Sequence, residues 1–95
     1  GYKMIIQEDE LNKIIKRKFN SKILCIKLRG IINGNVKIIR SSCNYNRSNG
    51  ILIISDLLKK FSIDITSQYR MEYHEKSLKI KLDNGQELEL IILKK

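Results

Sequence analysis

Two arginines, Arg40 and Arg47, share the stretch RSSCNYNRSNG, residues 40–50, with three asparagines and a tyrosine. Arginine offers a fork of donors that fits the acceptor edge of guanine, and asparagine offers the donor–acceptor pair that fits adenine. Asn44, Asn46 and Asn49, with Ser48, are therefore base-reading candidates beside the two arginines. Tyr45 is placed to stack on an unpaired base, chemistry that would favour a single strand or RNA. The competing reading is a plain solvent loop, because Asn and Ser are also turn formers. Apolar runs flank the stretch, NVKII before it and ILIIS after it.

The charge distribution gives this stretch its setting. Residues 1–50 carry eleven Lys/Arg against Glu8, Asp9 and Glu10, whereas residues 51–95 carry eight against seven acids. From Leu11 to Ser55 there is no acid, and ten basic residues lie in that span. A bias toward Ile, Lys and Asn codons would enrich Lys everywhere without removing Asp and Glu from one half. A formal net charge of +9 on 95 residues fits an anionic partner, with nucleic acid the usual one. Lys13, Lys16 and Arg17, with Lys18 beside them and Lys37 further on, suit phosphate contacts, which position a protein without reading sequence. For each of them a solvated basic face is the simpler alternative.

Catalytic signals are poor. His74 is the only histidine and there is no Cys-x-x-Cys, so no metal site is expected. The Glu8–Asp9–Glu10 cluster is explained by the positive end of a helix, and no Gly-rich phosphate loop is present. No catalytic residue and no cofactor are assigned, and an enzyme is not expected. Cys25 and Cys43 do not form a secreted disulfide framework; Cys25, in ILCIKL, reads as a small buried hydrophobe. No signal peptide is visible, and no apolar run approaches the roughly 18 residues that cross a bilayer. A single cytoplasmic domain with no membrane partner is the expectation.

These candidates need elements to hold them. QEDELNKIIKRKF predicts a helix over 8–19, with Leu11, Ile14, Ile15 and Phe19 on one stripe. KILCIKLRG, VKIIR and ILIIS read as strands, with a turn at Asn33-Gly34-Asn35. Pairing of 36–40 with 51–55 would make residues 40–50 the tip of a long hairpin. Ser55-Asp56 predicts a helix start for DLLKKFSI, with Leu57, Leu58 and Phe61 inward. The segment 67–76 reads as a further short helix with Ile65, Tyr69 and Tyr73 inward, although its Tyr and Thr content also permits a strand. SLKIKLDNGQELELIIL alternates strictly about Asp83-Asn84-Gly85, which predicts a hairpin with one wet face. On that face Lys79 and Lys81 are phosphate candidates, or else cross-strand partners of Glu87 and Glu89.

From Ile51 onward this order resembles a winged helix-turn-helix domain: ILIIS as first strand, DLLKKFSI as second helix, DIT as turn, SQYRMEYHEK as recognition helix and the final alternating run as wing. In size and composition the chain is similar to small plasmid- and phage-encoded DNA-binding proteins, partition adaptors and conjugative accessory proteins among them. The resemblance implies an α+β, winged-helix-like fold with a basic N-terminal helix, a central hairpin and a C-terminal wing hairpin. It implies a homodimer on paired half-sites, base contacts from Ser67, Gln68 and Arg70, and work in plasmid transfer, partition or transcription regulation. Glu72 and Glu75 offset Arg70 and Lys76, so the acid-free half should anchor phosphates and the 40–50 tip should read bases. The function expected is non-catalytic, sequence-specific binding of double-stranded DNA. An RNA-binding or RNA-cleaving, toxin-like protein and a phage-type protein-interaction module or inhibitor are the alternatives.

Overall fold

Acidic residues open and basic residues close α1 (Glu8–Lys18), the one helix among residues 3–94 that the computed structural model describes. Glu8, Asp9 and Glu10 meet the positive pole of its dipole, and Lys16, Arg17 and Lys18 meet the negative pole. The Glu10 carboxylate accepts the Gln7 backbone N–H at 2.9 Å, one of the groups that a helix start leaves bare. Leu11 and Ile15 are buried one turn apart, and Phe19 at the cap follows them into the core.

A short strand, β1 (Met4–Ile6), precedes the helix. After it come β2 (Ile23–Arg29), β3 (Gly34–Ile38), β4 (Ser42–Asn46), β5 (Ile51–Ser55) and β6 (Lys60–Asp64). β7 (Gln68–His74), β8 (Ser77–Leu82) and β9 (Glu87–Lys94) complete the chain. They form a six-stranded sheet, ordered β1-β7-β8-β9-β2-β3, and a three-stranded sheet, ordered β4-β5-β6. All pairings are antiparallel. The chain crosses between the sheets twice, from β3 into β4 through residues 39–41 and from β6 into β7 through residues 65–67. Because β9 returns to β2, the first and last parts of the chain share the large sheet, and the small sheet and the helix pack with it around one core. One core lies inside it, with Leu24, Ile26, Met71, Ile80, Leu88 and Leu90 from the large sheet against Leu52, Ile54 and the apolar stripe of α1.

The first crossing explains how the helix is seated. Arg40 takes a left-handed conformation, φ 59°, and turns the strand out of the large sheet. Ser41, next to it, is buried. Its hydroxyl donates to the Phe19 carbonyl and accepts the Lys22 N–H, the latter at 3.1 Å. Its backbone carbonyl accepts the Ser21 N–H at 2.7 Å, and its own N–H donates to the Lys22 carbonyl at 3.0 Å. Beyond it, β4 is an edge strand of the small sheet, and such an edge leaves N–H groups without a partner strand. Asn20 Oδ1 accepts the Cys43 N–H at 2.7 Å and Asn12 Oδ1 accepts the Tyr45 N–H at 3.2 Å, so side chains of the helix region replace the missing strand.

The winged-helix architecture is overturned: one helix and nine strands stand where a three-helix core was expected. The helix-turn-helix reading falls with it. The segment read as DLLKKFSI contains β6, where Phe61 and Ile63 alternate with Lys60, Ser62 and Asp64. That period-2 pattern prevails over the helical one because β5 places Ile54 opposite Phe61 and Leu52 opposite Ile63. Asp56 holds a tight turn rather than a helix start, accepting the Leu58 and Lys59 N–H groups at 2.8 and 2.7 Å. The segment 67–76, read as a recognition helix, is mostly β7. A bulge there pairs Gln68 with Leu82 and Arg70 with Lys81, and the extra residue, Tyr69, points to solvent instead of inward. The long-hairpin pairing is corrected as well: β3 pairs with β2, β4 itself pairs with β5, and only residues 47–50 form a tip. Cys25 is half-buried rather than buried, and both cysteines are free thiols.

If the asparagines close the β4 edge, Asn20→Ala should cost about 1–3 kcal/mol in urea unfolding, because it strands a part-buried N–H. Asn44→Ala, on the exposed face of the same strand, should stay within about 0.5 kcal/mol of wild type.

Candidate nucleic-acid interface

The stretch 40–50 is mostly occupied in holding itself and the helix together. Tyr45 is buried, and its hydroxyl donates to the Glu8 carboxylate at the start of α1. Burial first, and then that bond, push its pKa up to about 12. A ring in this position has no face free for a base, which removes the stacking role expected of it. Arg47 lies 3.6 Å from the same Glu8 carboxylate. Asn46 Oδ1 accepts both the Ser48 N–H, at 3.0 Å, and the Ser48 hydroxyl, at 2.7 Å, and Asn49 Oδ1 accepts the Ile51 N–H at 3.0 Å. Asn and Ser act here as turn formers that bond their own backbone. Asn44 alone of this group stays exposed on β4 without a hydrogen-bond role among those described.

The outer face of the large sheet is a charge ladder. Across neighbouring strands Glu72 faces Lys79, Lys79 faces Glu89, and Glu89 faces Lys27; one row over, Lys81 faces Glu87, which faces Arg29. The cross-strand pattern expected for Lys79 and Lys81 is thus present in the register. Glu72 is buried, with Arg70 bonded to its carboxylate, Lys3 at 3.6 Å and Lys81 at 3.8 Å. The hydrogen bond from Arg70, the largest effect, and the nearby lysines hold the Glu72 carboxyl below the usual carboxylate range. Arg70, Lys79 and Lys81 therefore belong to a largely balanced surface. Ser67 and Gln68 sit half-buried where β6 turns into β7, and the Ser67 carbonyl accepts the Asp83 N–H at 3.0 Å. Lys37 is exposed on β3, apart from these rows of alternating sign.

A different set of cations converges at the opposite end from the β8–β9 turn. A cleft of about 740 Å³ opens beside the C-terminal turn of α1, lined by Arg17, Lys18, Lys22 and Lys76 with Tyr73, Glu75, Ile92 and Leu93. A smaller hollow of about 230 Å³ shares Lys22 and adds Ile39 and Arg40. Among the described residues, none of these five cations makes an ion pair. Glu75 is the one acid lining either hollow.

Four separate segments place them. Arg17 and Lys18 end the helix; Lys22 follows the buried cap and is fixed by the Ser41 junction; Arg40 stands at the left-handed corner. Lys76 arrives on the two-residue turn between β7 and β8, where Glu75 also takes a left-handed conformation, φ 48°. The Lys76 carbonyl accepts the Ile92 N–H at 2.7 Å, which ties that turn to β9. Tyr73 is held from behind, its ring edge-on to Phe19 with centroids 6.3 Å apart, and its hydroxyl donates to the Glu75 carbonyl at 3.1 Å.

Of the residues that composition and spacing singled out, the structure brings Arg17, Lys18 and Arg40 to this end and scatters the rest. Lys13 and Lys16 are exposed along α1, outside the cleft lining. Lys22 was visible as part of the acid-free span but carried no motif. Lys76 and Tyr73 had no local signal, because only the pairing of β7 with β8 and β9 brings them to the helix end. His74 is exposed, and the described residues contain no group of His, Cys, Asp or Glu arranged to hold a metal. Burial pushes the Cys43 thiol up to about 12, which leaves it protonated and unreactive at neutral pH. The chain matches no protein-family model, no curated protein and no solved structure.

The Glu72 cluster makes a pH prediction. A carboxylate whose folded pKa is depressed stabilises the fold above its unfolded value, about 4.3, and that stability is lost as pH falls through the folded value. The urea midpoint of wild type should therefore drop as pH falls from about 5 toward 3. Glu72→Gln should lower the midpoint at neutral pH and flatten that part of the acid limb.

Proposed function

We propose that this protein is a non-catalytic nucleic-acid-binding domain that takes a sugar–phosphate backbone along the cleft at the end of α1. The observation that carries the reading is the convergence of four unpaired cations, Arg17, Lys18, Lys22 and Lys76, on one cleft, with Arg40 in the adjoining hollow that shares Lys22. On the outer sheet face, by contrast, acids stand opposite Lys and Arg. Gathering like charge without that compensation is unfavourable unless an anion arrives to neutralise it. A chain of phosphates is such an anion, and each contact adds affinity by releasing condensed counterions.

The kind of recognition follows from which side chains are left over. Tyr45, Arg47, Asn46 and Asn49 are engaged within the protein, so the groups best suited to base edges are largely spent. The cleft offers mainly Lys and Arg, which position a strand without specifying sequence. Its half-buried tyrosine and the side chains of Ile92 and Leu93 form an apolar wall on which a sugar or base can rest. Weakly sequence-selective binding of single-stranded nucleic acid is therefore favoured over operator reading on duplex DNA.

Fluorescence anisotropy with a mixed-sequence single strand and the matching duplex, at several salt concentrations, tests this. The single strand should bind more tightly, and Arg17→Ala or Lys76→Ala should each weaken it and reduce the salt slope by about 0.7. Lys79→Ala and Arg47→Ala should change neither quantity much. Wild-type affinity in the Arg17→Ala/Lys76→Ala double variant would remove the cleft from the interface, and absence of binding at low salt would remove nucleic acid altogether.

A further inference from the structure

The turn between β5 and β6 carries the least buried apolar side chains of the described chain. Leu57 is 98% and Leu58 92% exposed, side by side at the tip. Isolated apolar side chains on a surface need no explanation, but an adjacent pair projecting fully from an ordered turn does. The turn is not loose. Asp56 accepts the Leu58 and Lys59 N–H groups with one oxygen and the Ile39 N–H, at 2.9 Å, with the other, while its own N–H donates to the Lys59 carbonyl at 2.9 Å. The one acid of the tip is thus spent on backbone donors, and the leucines are held outward.

The bond from Ile39 to Asp56 sets the tip beside the first sheet crossing. Ile39 is itself an exposed apolar side chain, and Arg40 follows it. Lys59 and Lys60, both exposed, continue the chain directly after the leucines. Ile39 and Arg40 share a hollow with Lys22, and Lys22 lines the basic cleft. This end of the molecule therefore presents a projecting apolar point with unpaired cations on the segments beside it.

We propose that the Leu57–Leu58 turn is an insertion tip that seats this end of the protein on an anionic lipid bilayer. A bilayer interface has the complementary order: phosphates at the level of Lys22, Arg40, Lys59 and Lys60, and acyl chains just beneath, at the depth a projecting pair of leucines reaches. No helix among the described residues is long and apolar enough to cross a membrane, and this mode requires none, since only the tip enters. The inference rests on the leucines, which the nucleic-acid reading does not use; Lys22 and Arg40 are common to both.

The chain has no tryptophan, so Leu57→Trp gives a single indole at the tip. With vesicles of equal parts phosphatidylcholine and phosphatidylglycerol its emission should shift to the blue, and brominated acyl chains should quench it. Phosphatidylcholine alone should give little of either effect. In sedimentation with the mixed vesicles, Leu57→Ser/Leu58→Ser should bind about tenfold more weakly or worse. Both positions are solvent-exposed, so the variant should keep the wild-type unfolding midpoint. An unshifted indole overturns the proposal, as does a serine variant that sediments like wild type, since then the cations alone would hold the headgroups. Wild type that ignores vesicles but changes oligomeric state with the serine substitutions would make the tip a contact between copies of the chain, and overturns it equally.

Discussion

Ser41 carries the junction on which the rest of the structure depends. A strand that leaves one sheet for another must turn sharply inside the protein, and a turn made inside the core has no water to satisfy its polar groups. Ser41 supplies a hydroxyl and two backbone groups, and all three are bonded to residues 19–22. The same three-residue contact stops α1, caps its last turn and sets the helix along the open edge of β4. Each of these bonds replaces a buried unsatisfied group worth about 1–3 kcal/mol. The asparagines at 20 and 12 extend the seam along β4, to Cys43 and then Tyr45, so the helix acts as the missing neighbour of β4.

That seam also fixes the charge geometry. Arg17, Lys18 and Lys22 belong to the segment that Ser41 grips, and Arg40 is the residue whose left-handed backbone makes the turn. The cationic cleft is thus not an addition to the fold but the outer side of its tightest internal junction. Lys76 reaches it from the turn between β7 and β8, which the bond from the Ile92 N–H ties to the end of β9, the strand next to β2.

How much of this could be read beforehand differs by element. α1 was legible because charge at both ends and an apolar stripe agree. The β8–β9 hairpin was legible because strict alternation surrounds Asp83-Asn84-Gly85, and Gly85 supplies the positive φ, 93°, that the turn requires. β6 and β7 were misread for a physical reason. Phe61 stands at helical spacing from Leu57 and Leu58 and at strand spacing from Ile63, and the bulge at Tyr69 breaks the alternation that would have identified β7. The corner at Arg40 has no glycine to announce it. The surplus of positive charge was plain, yet its place was not: the base-reading chemistry of residues 44–49 went into turns, and the cleft was assembled from residues 17 to 93 by long-range pairing.

The position of the acids completes the argument. Glu8 is engaged by Tyr45 and Arg47, Glu72 by Lys3, Arg70 and Lys81, and Glu87 and Glu89 face Lys and Arg across the outer sheet. Asp56 and Asp64 accept backbone N–H groups in their turns. Glu75 is left to line the basic cleft, and its own left-handed turn is what delivers Lys76 there. With the carboxylates committed in this way, the excess positive charge has no internal counterpart at the end of the molecule where it gathers. An anion bound there would lower the free energy of the folded state, so anion binding and stability would reinforce each other. The leucines at 57 and 58 stand at that same end, where the apolar and the cationic surplus meet.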